Sequence, residues 1–142
     1  MTERAGHTVA VEVASLETAV TAARISAETE TPLLLVSSPD AAAQGGCLWF
    51  LEILRQANAE VPAARLAMAL DCGDAAGFAL EALDCGITGV IYRGEDPVRT
   101  KLGQLAELHG ASFLTERPRT LFLDEQPDPE AACRAWIKME SP

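Results

Sequence analysis

The sequence predicts an α/β protein built on a parallel sheet, and three observations carry that prediction. Short apolar segments alternate with amphipathic stretches of helical period along the whole chain. The second apolar segment, Leu33-Leu34-Leu35-Val36, is apolar on both faces, as a strand covered by helices on both sides must be. Capping residues and glycines fall at the junctions between the two kinds of segment, where helix ends need them.

In chain order, Thr8–Ala14 reads as the first strand. Helix 1 covers Leu16–Glu28, with Leu16, Val20, Ala23 and Ala27 on one face and Ser15 placed to cap it. Pro32–Ser37 is strand 2. Helix 2 runs from about Asp40, a candidate cap, to Ala59, with Gly45-Gly46 weakening its first turns and Cys47, Phe50, Leu51 and Leu54 forming its apolar face. Arg65–Leu70 is strand 3 and Asp74–Asp84 helix 3, with Gly86 suited to the left-handed position beyond it. Thr88–Tyr92 is strand 4. Asp96-Pro97 then reads as a cap followed by proline in the first helical position. Helix 4 carries Val98, Leu102, Leu105 and Leu108 and ends at Gly110. Ala111–Thr115 is strand 5, Thr120–Leu123 a sixth strand or edge extension, and Pro129–Met139 a C-terminal helix capped by Asp128.

Five or six βα units in a single domain over residues 1–142 follow from this reading. Two arrangements satisfy the alternation equally: a half-TIM-barrel-like sheet and an open doubly wound, flavodoxin-like one.

Composition narrows the function classes. Hydrophobic residues make up 49% of the chain, too many for a disordered segment, while aromatics at 5% leave Ala, Leu and Val to build the core. The net charge of −10 repels phosphate backbones and anionic bilayers, so neither nucleic acid nor membrane is an expected partner. No apolar run approaches the ~20 residues of a membrane span. Met1–Gly6 is polar, without the apolar core of a secretion signal. A cytoplasmic location is expected. Cys47, Cys72, Cys85 and Cys133 form no CxxC pair and read as buried thiols.

In parallel α/β folds, ligands meet the loops at the C-terminal ends of strands. Those loops hold Ser15, Ser37–Asp40, Asp71–Asp74, Arg93–Asp96 and Glu116–Pro118. Several of them also carry a resemblance. The run LETAVTAARISAETETPLLLVSSPDAAA (Leu16–Ala43), with Gly45-Gly46 after it, is similar to the helix, strand and serine loop of class II fructose- and tagatose-bisphosphate aldolases. VPAARLAMALDCGD, ending at Asp74, resembles that family's "vPvalhLDHg" strand. ALDCGITGVIYRG (Ala82–Gly94) resembles "aidaGftSVmiDgS", and TKLGQLAELHGASFLTERP (Thr100–Pro118) resembles the family's "TkevvelAh..gvsvEaElG". The collinear pieces span about residues 9–117, the N-terminal half of the barrel.

The resemblance implies a partial site. Asp71 stands where the family has its proton-transferring Asp. Cys72 stands where the family has a zinc-binding His, and a thiolate is a competent zinc ligand. Glu116 matches the acidic residue of "ElG". Arg93 replaces the Asp of "iDgS", and Pro118 the glycine of "ElG". The family's two remaining zinc histidines and its phosphate-binding loops lie on strands beyond those matched here. His7 and His109 are not expected to stand in, being at the wrong end of the sheet.

The candidate residues are therefore Asp71 as an acid/base, Cys72 as a metal ligand, and Ser38, Arg93 and Glu116 as ligand-binding groups. Each has a structural alternative. Asp71 can cap a turn. Cys72 can fill the space of a lost imidazole. Arg93 can pair with Asp71 or Glu116, which is the favoured reading because it satisfies both charges. Glu116 can belong to a solvated cluster with Arg117 and Arg119. Asp40 weighs against an anion at Ser37-Ser38.

Two functions result. The first is an aldolase-related half-barrel protein without a complete aldolase site, binding a partner or a small anionic or sugar-phosphate-like ligand without catalysis. The second is a metal-assisted lyase using Asp71, with its site completed across a dimer. No cofactor is expected under the first, and zinc is the metal implied by the second. An unclosed sheet leaves edges, so self-association as a dimer is also expected.

Overall fold

The computed structural model describes residues 8–141, so Met1–Gly6 and His7 lie outside the described residues. Among these are six strands and five α-helices, alternating as far as the fifth strand, which the sixth follows without a helix between; the strands pair in parallel, and a helix comes after the sixth. The α/β class, the parallel sheet and the C-terminal helix are as the sequence predicts. The residues gather in two compact units, within 8–36, 53–67 and 119–141 for the first and 37–52 and 68–118 for the second.

In the first unit, β1 (Val9–Glu12) pairs with β2 (Leu33–Val36) on one side and β6 (Leu121–Phe122) on the other. A flavodoxin-like order would instead put the third strand beside β1. The β1–β2 connection is α1 (Leu16–Thr29). Ser15 is extended and its Oγ accepts the Thr18 N–H at 3.2 Å, the expected cap. The buried face of α1 includes Ala19, Ala22, Ala23 and Ile25. Small side chains there let a helix lie close to its neighbours.

The closing helix, α5 (Pro129–Glu140), packs on α1. Asp128 caps it through the Ala131 N–H at 3.2 Å. Its buried face holds Cys133, Trp136 and Ile137. The Trp136 Nε1–H donates to the Ala10 carbonyl at 2.8 Å, so a large apolar ring enters the core without an orphaned donor. Ser26, fully buried, donates to the Thr31 carbonyl at 2.7 Å and accepts the Arg65 N–H at 3.0 Å.

Two elements pass from one unit to the other along the chain, α2 (Ala41–Glu60) and β3 (Leu66–Asp71). Within α2 the helix breaks at Gly46, whose φ of 76° only glycine adopts cheaply.

In the second unit, the end of β3 pairs with β4 (Gly89–Ile91), and β4 with β5 (Ser112–Leu114). Their connections are α3 (Ala76–Cys85) and α4 (Val98–Leu108). Gly86 ends α3 in the left-handed conformation, as expected. Two expected helix starts differ. Helix α3 begins two residues later than Asp74, after Ala75, which makes no side-chain cap. At α4, Pro97 occupies the cap position rather than the first helical one. Asp96 nevertheless does the capping: its Oδ1 accepts the Thr100 N–H at 2.9 Å and the Thr100 hydroxyl at 2.5 Å.

The β3–β4 pairing depends on a missing side chain. A Cβ at Gly89 would stand 2.2 Å from the Met68 carbonyl oxygen, a backbone atom of the adjacent strand. Gly77, on the exposed side of α3, has open space around it. Gly89→Ala should therefore lower stability by about 2–3 kcal/mol through forced separation of the strands. Gly77→Ala should be neutral or stabilising by up to about 1 kcal/mol. Urea unfolding of the two variants checks this, and equal midpoints would refute the packing argument.

Candidate functional site

Parallel pairing in the second unit brings the C-terminal ends of β3, β4 and β5 to one rim. The ladder continues just past the strands: the Cys72 N–H donates to Ile91 O and the Tyr92 N–H to Leu114 O, both at 2.9 Å. The residues that follow, Asp71 at the end of β3, Arg93 after β4 and Arg117 after β5, are thereby set side by side.

Asp71 is the centre of the group and is fully buried. Its Oδ2 accepts from Arg93 Nη1 at 2.6 Å and from Arg117 Nη1 at 2.9 Å. Its Oδ1 accepts the Gly73 N–H at 2.9 Å, closing a tight turn. Arg93 also reaches Asp40 Oδ1, from Nη2 at 3.3 Å. Its backbone N–H donates to Gly73 O at 2.6 Å. Gly73 sits at φ 58°, a conformation glycine adopts most cheaply, and its bare Cα leaves the space that Asp40 Oδ1 occupies.

Ser37 secures the other side. Fully buried, it accepts the Asp71 N–H on Oγ at 2.9 Å and donates from Oγ to the Ser38 carbonyl at 3.2 Å. Among the described residues, every buried side-chain nitrogen and oxygen has a partner.

The electrostatics follow from this set. Burial pushes the Asp71 carboxyl up, since it removes water from the charged form. The Arg93 hydrogen bond, the backbone N–H groups of Gly73 and Asp40, and the Arg93 charge outweigh that, and the net shift is downward. Asp71 is thus an anion at any pH above the ordinary carboxylate range. Arg93 is correspondingly held more firmly protonated by the Asp71 hydrogen bond.

Of the residues predicted from sequence, Asp71 and Arg93 are brought into direct contact, the favoured pairing. Ser38 is half-buried beside them, its carbonyl accepting the Ala41 N–H at 3.1 Å. Glu116 is exposed, and its neighbour Arg117 is the residue that reaches Asp71. Asp40 occupies a left-handed backbone position and turns its carboxylate to Arg93, a role that a cap assignment misses. Arg117 had a signal in the sequence, a cation one residue past a strand-end carboxylate candidate, but nothing there distinguishes it from Arg119.

Cys72 is buried beside Asp71. Its thiol is pushed up to about 12, first by burial and then by the Asp71 charge and the neighbouring Cys47. A zinc ligand must give up that proton. His109 lies on the exposed end of α4, its Nδ1 2.9 Å from the Leu105 carbonyl. Among the described residues no three His, Cys, Asp or Glu side chains cluster as a metal centre would need. With Asp71 committed to two guanidiniums, the residues present do not fit the zinc site that the aldolase resemblance implies.

The fold is of the aldolase-like α/β kind. No protein-family profile matches the sequence, and no curated protein matches it. Among solved structures, the chain is similar to a provisionally assigned fructose-1,6-biphosphate aldolase from Coccidioides immitis, with a TM-score of 0.61 at 12% sequence identity. The match covers 78% of this chain and 42% of that one, so this chain spans about two-fifths of that structure. No helix among the described residues is long and apolar enough to cross a membrane.

Asp71→Asn leaves two guanidiniums facing an uncharged amide in a buried position. It should cost about 3 kcal/mol of stability at pH 7. Because folding depresses the Asp71 pKa, the stabilisation from its charge is complete above the unfolded value of about 4 and is lost as pH falls through the folded value. Wild type and variant should therefore converge in acid and differ fully from pH 5 to 8. Urea titrations at pH 7 and pH 3 check the pattern, and equal stability at pH 7 would show the clamp to be energetically idle.

Proposed function

We propose that this chain is an aldolase-related protein that binds a small anion at its strand-end rim and does not cleave carbon–carbon bonds. One observation carries the reading: the carboxylate at the acid/base position is sealed between two arginines. A group that must exchange protons with substrate needs access and a pKa near the working pH. Asp71 has neither.

Arginine has the donors for the proposed role. A guanidinium carries five N–H groups in a planar fork suited to phosphate or carboxylate. Two guanidiniums face one buried carboxylate, and a third of the Arg93 side chain stays accessible. Asp40, itself well exposed, can be displaced from Arg93 by a competing anion. In a chain of net charge −10, the rim sets its two guanidiniums against the Asp71 and Asp40 carboxylates, so a ligand must take the place of Asp40 on Arg93. A sugar phosphate or another small phosphorylated or carboxylated metabolite is the ligand class that fits.

Calorimetric titration with inorganic phosphate and with fructose 1,6-bisphosphate tests the proposal. Saturable binding to the wild type is expected, weakened about tenfold or more in Arg93→Ala, which removes at least one charge-assisted hydrogen bond. Retro-aldol turnover should stay at background with and without added zinc. Zinc-dependent cleavage, or the same phosphate affinity in Arg93→Ala as in the wild type, would overturn the reading.

A further inference from the structure

Away from the rim, the second unit brings two cysteines together that the sequence holds far apart. The break at Gly46 frees the next residue, Cys47, from the preceding turn of α2. Its Sγ comes to 3.8 Å from the Glu81 carbonyl on α3. In an α-helix that carbonyl receives the N–H of the residue four positions on, which is Cys85. Cys85 is the last residue of α3, one turn beyond Glu81, so Cys47 lies against the helical turn that carries it, close enough for the two thiols to act on each other electrostatically. The backbone behind it is fixed by Gly86 and by the Ile87 N–H donating to Ala82 O at 3.1 Å. Cys47 is buried, while Cys85 is only half-buried and stays reachable from solvent.

We propose that Cys47 and Cys85 form a reversible oxidation site, at which a low-molecular-weight disulfide converts the thiol pair into a disulfide tying α2 to the end of α3. The accessible Cys85 acts first. As thiolate it attacks one sulfur of the small disulfide, forming a mixed disulfide and expelling one thiolate, which takes up a proton. Cys47 then gives its proton to water and attacks Cys85 Sγ, expelling the second small thiolate. Two electrons pass from the protein to the small disulfide, and two small thiols leave. The position of Cys47 against the last turn of α3 makes it the resolving thiol rather than Cys72, whose Sγ points at the Leu70 carbonyl at 3.6 Å.

Burial, the neighbouring Cys47 thiol and the Glu81 charge raise the Cys85 thiol to about 11, against the lowering effect of the Ile87 N–H. The first step is therefore slow at neutral pH and should quicken about tenfold per pH unit between pH 7 and 9. The new bond would close the segment 47–85, which contains β3, Asp71 and Gly73, and so would stiffen the frame of the rim.

The test is incubation of the folded full-length chain with oxidised glutathione at pH 8, then peptide mapping without reductant. The expected product is an intramolecular Cys47–Cys85 link, reversed by dithiothreitol, with an unfolding midpoint about 5 °C or more above the reduced protein. Cys47→Ser should stop at glutathione on Cys85, and Cys133→Ser should behave as wild type. Circular dichroism of each variant before oxidation verifies folding. A Cys47–Cys72 link, intermolecular linkage only, or glutathione persisting on Cys85 in the wild type would each overturn the proposal.

Discussion

A carboxylate taken wholly out of water sets the terms for the second unit. Burying an unpaired Asp71 would be prohibitive, so the surrounding chain must deliver positive charge and N–H donors to it. They come from three successive strand ends: the turn at Gly73, the guanidinium after β4 and the guanidinium after β5. Parallel strands joined by helical crossovers are what place those three ends side by side. Ser37 and Gly73 then appear as consequences of the same requirement, the first holding the backbone of Asp71, the second letting Asp40 approach Arg93. The interactions that make the buried anion tolerable also hold it ionised.

The likeness to an aldolase fold and the departure from an aldolase rim are thus separable. Backbone topology depends on many weak apolar contacts, which tolerate exchange of one aliphatic residue for another. A metal centre depends on a few ligands at fixed positions, which do not. Where the resemblance implies an acid and an imidazole, this chain has an arginine and a buried, protonated thiol, and the rim they line is ion-paired.

Local rules made much of the fold legible. Ser15 and Asp128 cap their helices as their side chains suggest, and Gly86 takes the left-handed position its neighbours cannot. These are interactions within a few residues, decided by short-range geometry. The choice between strand orders was not legible, because alternation alone does not say whether β1 lies next to β3 or to β6. At the site, Asp71 and Arg93 could be paired from their loop positions. Arg117 could not be chosen over Arg119, nor Asp40 recognised as a counter-ion, because each depends on a backbone direction set by contacts distant in sequence. The cysteine pair was hidden for the same reason: a glycine break in one helix and the final turn of another meet only in three dimensions.

The chain contains two tryptophans, and they fall one to each unit. Trp136 is enclosed, its indole nitrogen bonded to Ala10 and its ring covered by Arg119 at 5.4 Å. Trp49, two residues beyond Cys47, is 40% exposed and lies against Phe50. Their emission should differ in wavelength and in access to aqueous quenchers. Native fluorescence therefore contains two spectrally distinct reporters, and it can reveal whether the halves of this molecule melt as one body or in sequence.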